Sequence, residues 1–98
     1  MEFTWDEQKN RANQHKHGIS FETAILVFDD AFNVSTQDRE VDGEPRWQTI
    51  GMDNGIHMLL VAHTLELDLD RDDDEERIRI LSARKATRRE RRIYAQGI

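Results

Sequence analysis

The side chains best suited to chemistry gather towards one end of this chain. Residues 77–98 carry Arg77, Arg79, Arg84, Lys85, Arg88, Arg89, Arg91 and Arg92, opposed only by Glu90. All but Lys85 are arginines, whose planar forks suit two-point contact with phosphate or carboxylate. Arg88 and Arg89 fall in the first turn of an expected helix, where the helix dipole disfavours cations by about 0.3–1 kcal/mol. A sequence shaped for stability alone would place acids there. Backbone N–H groups and arginines at a helix start together make a phosphate-seeking end. The opposing account is that long arginine stems cover apolar surface while their heads stay in water. The overall charge of −6 hides a segregation, with −13 over residues 1–76 and +7 over residues 77–98. Such asymmetry points to a polyanionic partner.

Proton-moving groups are fewer. His57 and His63 would share one face of a regular strand, with Leu59 and Val61 between them. His63 is a candidate general acid or base, because imidazoles change charge near neutrality. A half-buried histidine bonded to backbone is the simpler account of the same pattern. Lys16 and His17 close the first expected helix, where the dipole favours cations anyway. Tyr94 on the last helix could donate a proton or stack on a base, or serve as a core aromatic. The acidic run Asp68, Asp70, Asp72, Asp73, Asp74, Glu75 and Glu76 fails as a calcium loop. Begun at Asp68, the position needing glycine is Asp73 and the closing glutamate is Arg79; begun at Asp70, these are Glu75 and Leu81. A solvated acidic hairpin tip accounts for it. His15-x-His17 lacks a third nearby ligand. No metal and no cofactor are expected, and neither a P-loop, a nucleophile elbow nor a dinucleotide fingerprint occurs.

These groups need a frame, and 98 residues suffice for one domain, 1–98. Ile, Leu, Val and Phe make up about 23% of the chain, just above the roughly 20% below which charged chains stay disordered. The longest apolar run, 58–62, is far short of a membrane span, and no apolar leader opens the sequence. The absence of cysteine excludes disulfides and thiolate metal sites and fits a cytoplasmic protein. Alternation of Phe3 and Trp5 predicts an edge strand over 1–5. Asp6 caps a helix to His17, closed by Gly18, with Ala12 its one apolar interior residue. Ser20 caps a second helix whose stripe is Phe21, Ala24, Ile25 and Phe28, ended by Asp29-Asp30. Strands follow over 32–36, 46–53, 56–67 and 77–83. Asp42-Gly43 and Pro45 turn the chain after the first of these, and Asn54-Gly55 marks a hairpin. Residues 58–62, apolar on both faces, read as a central covered strand. Thr87-x-x-Glu90 is a capping box opening a helix over 88–96. The order β-α-α-β-β-β-β-α predicts an α+β domain on a twisted antiparallel sheet, with two N-terminal helices and one C-terminal helix.

Several stretches together resemble the BrnT family of toxins from bacterial type II toxin–antitoxin systems. They are Phe3-Thr4-Trp5-Asp6, Lys16-His17-Gly18-Ile19-Ser20-Phe21-Glu22, Val27-Phe28-Asp29-Asp30, Val61-Ala62-His63-Thr64 and the run from Arg77 to Tyr94. The block Ser82-Ala83-Arg84-Lys85-Ala86-Thr87-Arg88-Arg89-Glu90 is the most specific. The resemblance implies a RelE-like fold and a metal-independent endoribonuclease that cleaves RNA, with mRNA the expected substrate, and so arrests translation and growth. It also implies neutralisation by a BrnA-type antitoxin that contacts DNA; a homodimer or a heterotetramer with that antitoxin stays open. In this reading Arg79 and Arg84 hold the reacting phosphate, while Arg77, Lys85, Arg88, Arg89 and Arg92 hold flanking ones. His63, or else His17 with Lys16 beside it, moves protons, with Tyr94 a lesser candidate to protonate the leaving oxygen. The chain departs from the family at Glu7, where proline is frequent, at Leu65-Glu66-Leu67, where a basic residue is common, and at Ala95, where an acid is common. The rival class is a non-catalytic module whose basic helix docks nucleic acid or an acidic protein.

Overall fold

Asp6 turns extended chain into helix. After the short strand β1 (Glu2–Thr4), its carboxylate accepts hydrogen bonds from the Gln8 and Lys9 amides at 2.8 and 3.2 Å, opening α1 (Glu7–His17). Gly18, at φ 73°, closes that helix as expected. The computed structural model describes residues 1–67 and 75–97. The acidic run Asp68 to Asp74 therefore lies outside the described residues, along with Ile98.

Helix α1 has no apolar stripe, and it is anchored by amides instead. Asn13 is buried and donates to the Ile19 and Ala83 carbonyls, both at 2.8 Å, while its side-chain oxygen accepts from the Ala83 amide at 3.1 Å. Asn10, also buried, accepts from the Phe21 amide at 2.8 Å and donates to Glu22 at 2.7 Å.

The second helix is shorter than its stripe predicts. Ser20 caps α2 (Phe21–Ala24), and the chain then tightens into a 3-10 helix over Ile25–Asp29. The buried residues are Phe21, Ala24 and Val27, a spacing of three that suits the tighter winding; Ile25 and Phe28 are only partly buried. Val27 lies so close to Gly51 that a β-carbon there would sit 2.9 Å from its own.

Strands β2 (Val34–Val41), β3 (Glu44–Met52), β4 (Met58–His63), β5 (Glu66–Leu67) and β6 (Glu76–Lys85) complete one sheet in the order β1-β6-β4-β3-β2, with β5 also on β6. The sheet is antiparallel, as expected, except at one seam. β1 runs parallel to β6; the two come from opposite ends of the chain, and no hairpin between them dictates an antiparallel pairing. The expected strand 56–67 is divided into β4 and β5, because Thr64 turns aside and its amide donates to the Arg79 carbonyl at 3.0 Å. β2 runs to Val41, past the expected 36, because a two-residue turn at Asp42-Gly43, with φ 51° and 79°, pairs it with β3. Asn54-Gly55 does adopt positive φ, but inside a wider loop in which Asp53 accepts from the His57 amide at 2.6 Å. His57 thus stands outside the strand and does not share a face with His63. β2 forms the outer edge, blunted by Asp38, Arg39, Glu40 and a register shift between Gln37 and Arg39.

The two faces of the sheet differ. One packs Leu59, Val61, Ile78, Ile80 and Ala83 against Ile19, Phe21, Ala24 and Val27, and this is the core. The opposite face carries Val34, Ile50 and Leu60 beneath α3 (Arg88–Gln96). No α3 residue is fully buried. Its capping box is present, with the Glu90 amide donating to Thr87 Oγ at 3.2 Å and Glu90 accepting from the Thr87 amide at 2.9 Å. Among the described residues no helix is long and apolar enough to cross a membrane.

Candidate functional site

Strand alternation builds a polar floor on the face away from the core. Gln48, Ala62 and Ser82 lie side by side across β3, β4 and β6, and Ile50, Leu60 and Arg84 form the next row. Helix α3 covers the second row and leaves a groove of about 350 Å³, bordered by Thr36, Asp38, Gln48, Arg89, Glu90 and Ile93. Beyond the floor, Arg79 and Arg46 converge on Glu44 at 2.8 and 3.4 Å. Basic groups therefore stand at both ends of an open, hydrogen-bonding surface, with roughly 13 Å of strand between the Arg46 and Ile50 rows.

Arg79 and Arg84, the arginines expected to grip the reacting phosphate, are already held by carboxylates. Arg84 makes a two-point contact with Glu90, at 2.8 and 2.9 Å. That hydrogen bonding raises the Arg84 pKa against the opposing effect of burial, and it lowers the Glu90 pKa in the same way. Arg77 lies 3.9 Å from Glu2, Lys85 is exposed at the end of β6, and Arg88, Arg89, Arg91 and Arg92 are exposed on α3. Lys16 and His17 share a shallow depression of about 250 Å³ with Leu81 and Ser82. Ser82 also belongs to the polar floor, so these two side chains stand across the β6 edge from the groove.

Tyr94 and His63 lie elsewhere. The Tyr94 hydroxyl donates to Asp30 at 2.7 Å, and the Met52 amide donates to the same oxygen at 2.8 Å. This places Tyr94 at the Met52 end of β3, far along the strand from Arg46. The bond to Asp30, then burial and the Asp30 charge, raise the tyrosine pKa. His63 is 2% exposed and points into the core face, edge-on to Phe28 at 5.0 Å. Its Nδ1 faces the Thr64 carbonyl at 2.9 Å, which can only accept, so Nδ1 carries the proton. Nε2 then accepts from Thr49 at 2.7 Å, and Thr49 accepts from Ser35 at 2.7 Å. Burial lowers the His63 pKa, against a smaller upward push from the Thr64 carbonyl. A molecule lying on the open face does not reach this ring.

The structure thus gathers Lys16, His17, Arg79 and Arg84 around the floor and leaves His63 and Tyr94 apart from it. Arg46, Gln48 and Glu44 join the site although sequence reading gave them no role. Arg46 is one of few cations in the acidic part of the chain, and its alternation with Gln48 and Ile50 was the available signal. Among the described residues no three His, Asp or Glu side chains converge as metal ligands.

A profile of the family described as "Ribonuclease toxin, BrnT, of type II toxin-antitoxin system" matches residues 5–90. The crystal structure of the Brucella abortus ribonuclease toxin BrnT superposes with a TM-score of 0.61 at 26% identity, covering 90% of this chain and 99% of that one. A search of curated proteins finds no match.

Proposed function

The chain belongs to the BrnT family of ribonuclease toxins of type II toxin–antitoxin systems, and from that premise we propose that it is a metal-independent endoribonuclease acting on messenger RNA. The observation that carries this reading is the open sheet face, with its polar floor, arginines at both ends and Lys16 and His17 along its β6 border. An RNA strand laid on it needs no enzyme nucleophile, since its own 2′-hydroxyl attacks the adjacent phosphorus. The P–O bond to the 5′-oxygen of the next nucleotide breaks as the new one forms. One proton leaves the 2′-oxygen and one reaches the departing 5′-oxygen. His17, with the Lys16 charge beside it in sequence, serves this transfer; Arg84 balances the growing phosphorane charge, while Arg79, at the far end of the floor, holds a neighbouring phosphate. Arg77, Lys85, Arg88, Arg89 and Arg92 track the flanking backbone. His63 and Tyr94 act indirectly, the first by tying β3 to β4 and the second by seating α3. Cleavage arrests translation and growth, and a BrnA-type antitoxin neutralises the toxin by covering the basic face.

The test is cleavage of a single-stranded RNA in EDTA. His17→Ala should slow it by about 10²–10⁴-fold, and Arg84→Ala by about 10²–10³-fold. Activity lost to the chelator and restored by magnesium would overturn the metal-free chemistry. Intact RNA in every buffer, with binding retained, would instead favour the non-catalytic module.

A further inference from the structure

We propose that Arg46 and Arg79 form a phosphate subsite at the far end of the floor, which Glu44 fills in the free protein as a built-in anion. The inference rests on the RNA reading above and names one station of that surface. Arg46 directly precedes Trp47, whose cross-strand partner is His63. Thr64, next along, accepts from the Arg79 amide at 3.3 Å. Arg46 on β3 and Arg79 on β6 therefore lie to either side of Thr64, just past the end of β4. Glu44 contacts both guanidinium groups, at 3.4 and 2.8 Å. Two cations on one carboxylate leave a net positive charge.

The site is built as well as charged. Arg46 is 25% exposed, and its Nε is buried with no hydrogen-bond partner among the described residues. A buried donor left unpaired is costly, so the guanidinium gains by turning towards an acceptor that Glu44 alone does not provide. A phosphodiester offers two non-bridging oxygens, which suits two forks facing one another better than a single shared carboxylate does. Glu44 is half-exposed and leaves without disturbing the core. In the free protein it keeps the two arginines apart from bulk anions and pre-sets their separation. An RNA phosphate displaces it.

The measurement is fluorescence anisotropy with a 2′-O-methyl oligoribonucleotide, which binds but lacks the attacking hydroxyl. Glu44→Gln should tighten binding by about fivefold, the effect of removing one nearby like charge. Arg46→Ala should weaken it by about tenfold and reduce the slope of log affinity against log salt by about 0.7, one phosphate contact on a single strand. Arg46→Lys should keep the slope and recover part of the affinity, showing that the charge and the fork both count. Arg11→Ala, on exposed α1, is the control and should change neither. Thermal melting checks that the Arg46 variants remain folded; if Arg46→Ala does not, Glu44→Gln and Arg46→Lys decide alone. Wild-type binding that is indifferent to Glu44 and Arg46 overturns the subsite and leaves the nuclease reading standing. Failure of the wild type to bind or cut any RNA overturns that reading itself.

Discussion

His63 follows Leu59 and Val61 on the inward face of β4, and its buried ring is bonded to the Thr64 carbonyl. Its apolar neighbours Leu59 and Val61 put it in the strand, and the structure does place it there, at the end of β4. The same alternation that buries those neighbours sends the ring into the core with Thr49 and Phe28. Its pKa is lowered from 6.5, so the unfolded chain takes up the proton first. The stabilisation from the neutral ring is therefore complete above pH 6.5 and fades as pH falls from there through the folded-state value. Denaturation of wild type and His63→Gln between pH 7.5 and 5.5 should show wild type losing more stability over that window. Parallel profiles would mean that the ring titrates alike in both states. Lys16 and His17, which the helix dipole accounts for cheaply, line a depression of their own beside Ser82, across the β6 edge from the groove. Arg46 was hard to single out, because its alternation with Gln48 and Ile50 is a signal that any outward-facing strand residue shares.

At the scale of elements, capping and turn chemistry was largely visible. Asp6, Gly18, Ser20 and the Thr87–Glu90 box mark the ends they were expected to mark. What could not be seen was how a helix without an apolar stripe holds on. Asn13 supplies the hydrogen bonds a neighbouring strand would give Ala83, and that partner is 70 residues away in sequence. Asn13→Ala leaves the Ala83 amide and carbonyl and the Ile19 carbonyl without it and should cost about 1–3 kcal/mol, read by urea denaturation. A change below about 0.5 kcal/mol would show that water replaces the amide. Gly51 is likewise inconspicuous in the sequence, because the backbone it accommodates belongs to the 3-10 segment. Gly51→Ala forces Val27 aside and should destabilise by about 1–3 kcal/mol. The stripe of Phe21, Ala24, Ile25 and Phe28 suggested an α-helix because local periodicity does not register this close approach.

For the whole molecule, the segregated charge was the most informative feature of the sequence, and the fold gives it a location. The α+β architecture and the covered central strand were readable from alternation and turn residues. The parallel seam between β1 and β6 was not, because it joins the two ends of the chain. An acidic body with a basic face should bind RNA with a steep salt dependence. If about four phosphates are contacted, log affinity falls with log salt at a slope near −2.8, at roughly −0.7 per contact. A flat dependence would mean that the arginines on α3 do not meet the backbone.

Glu90 answers at once to the Thr87 amide and to Arg84. One carboxylate thus governs both the winding of α3 and its moorage on β6, so the two happen together. A polyanion that wins Arg84 slackens the leading turn in the same stroke. Faster amide hydrogen exchange at Glu90 and Arg91 on adding RNA is the trace to look for, since Thr87 shields both amides at rest. The grip on substrate and the firmness of the last helix are then drawn from a single knot.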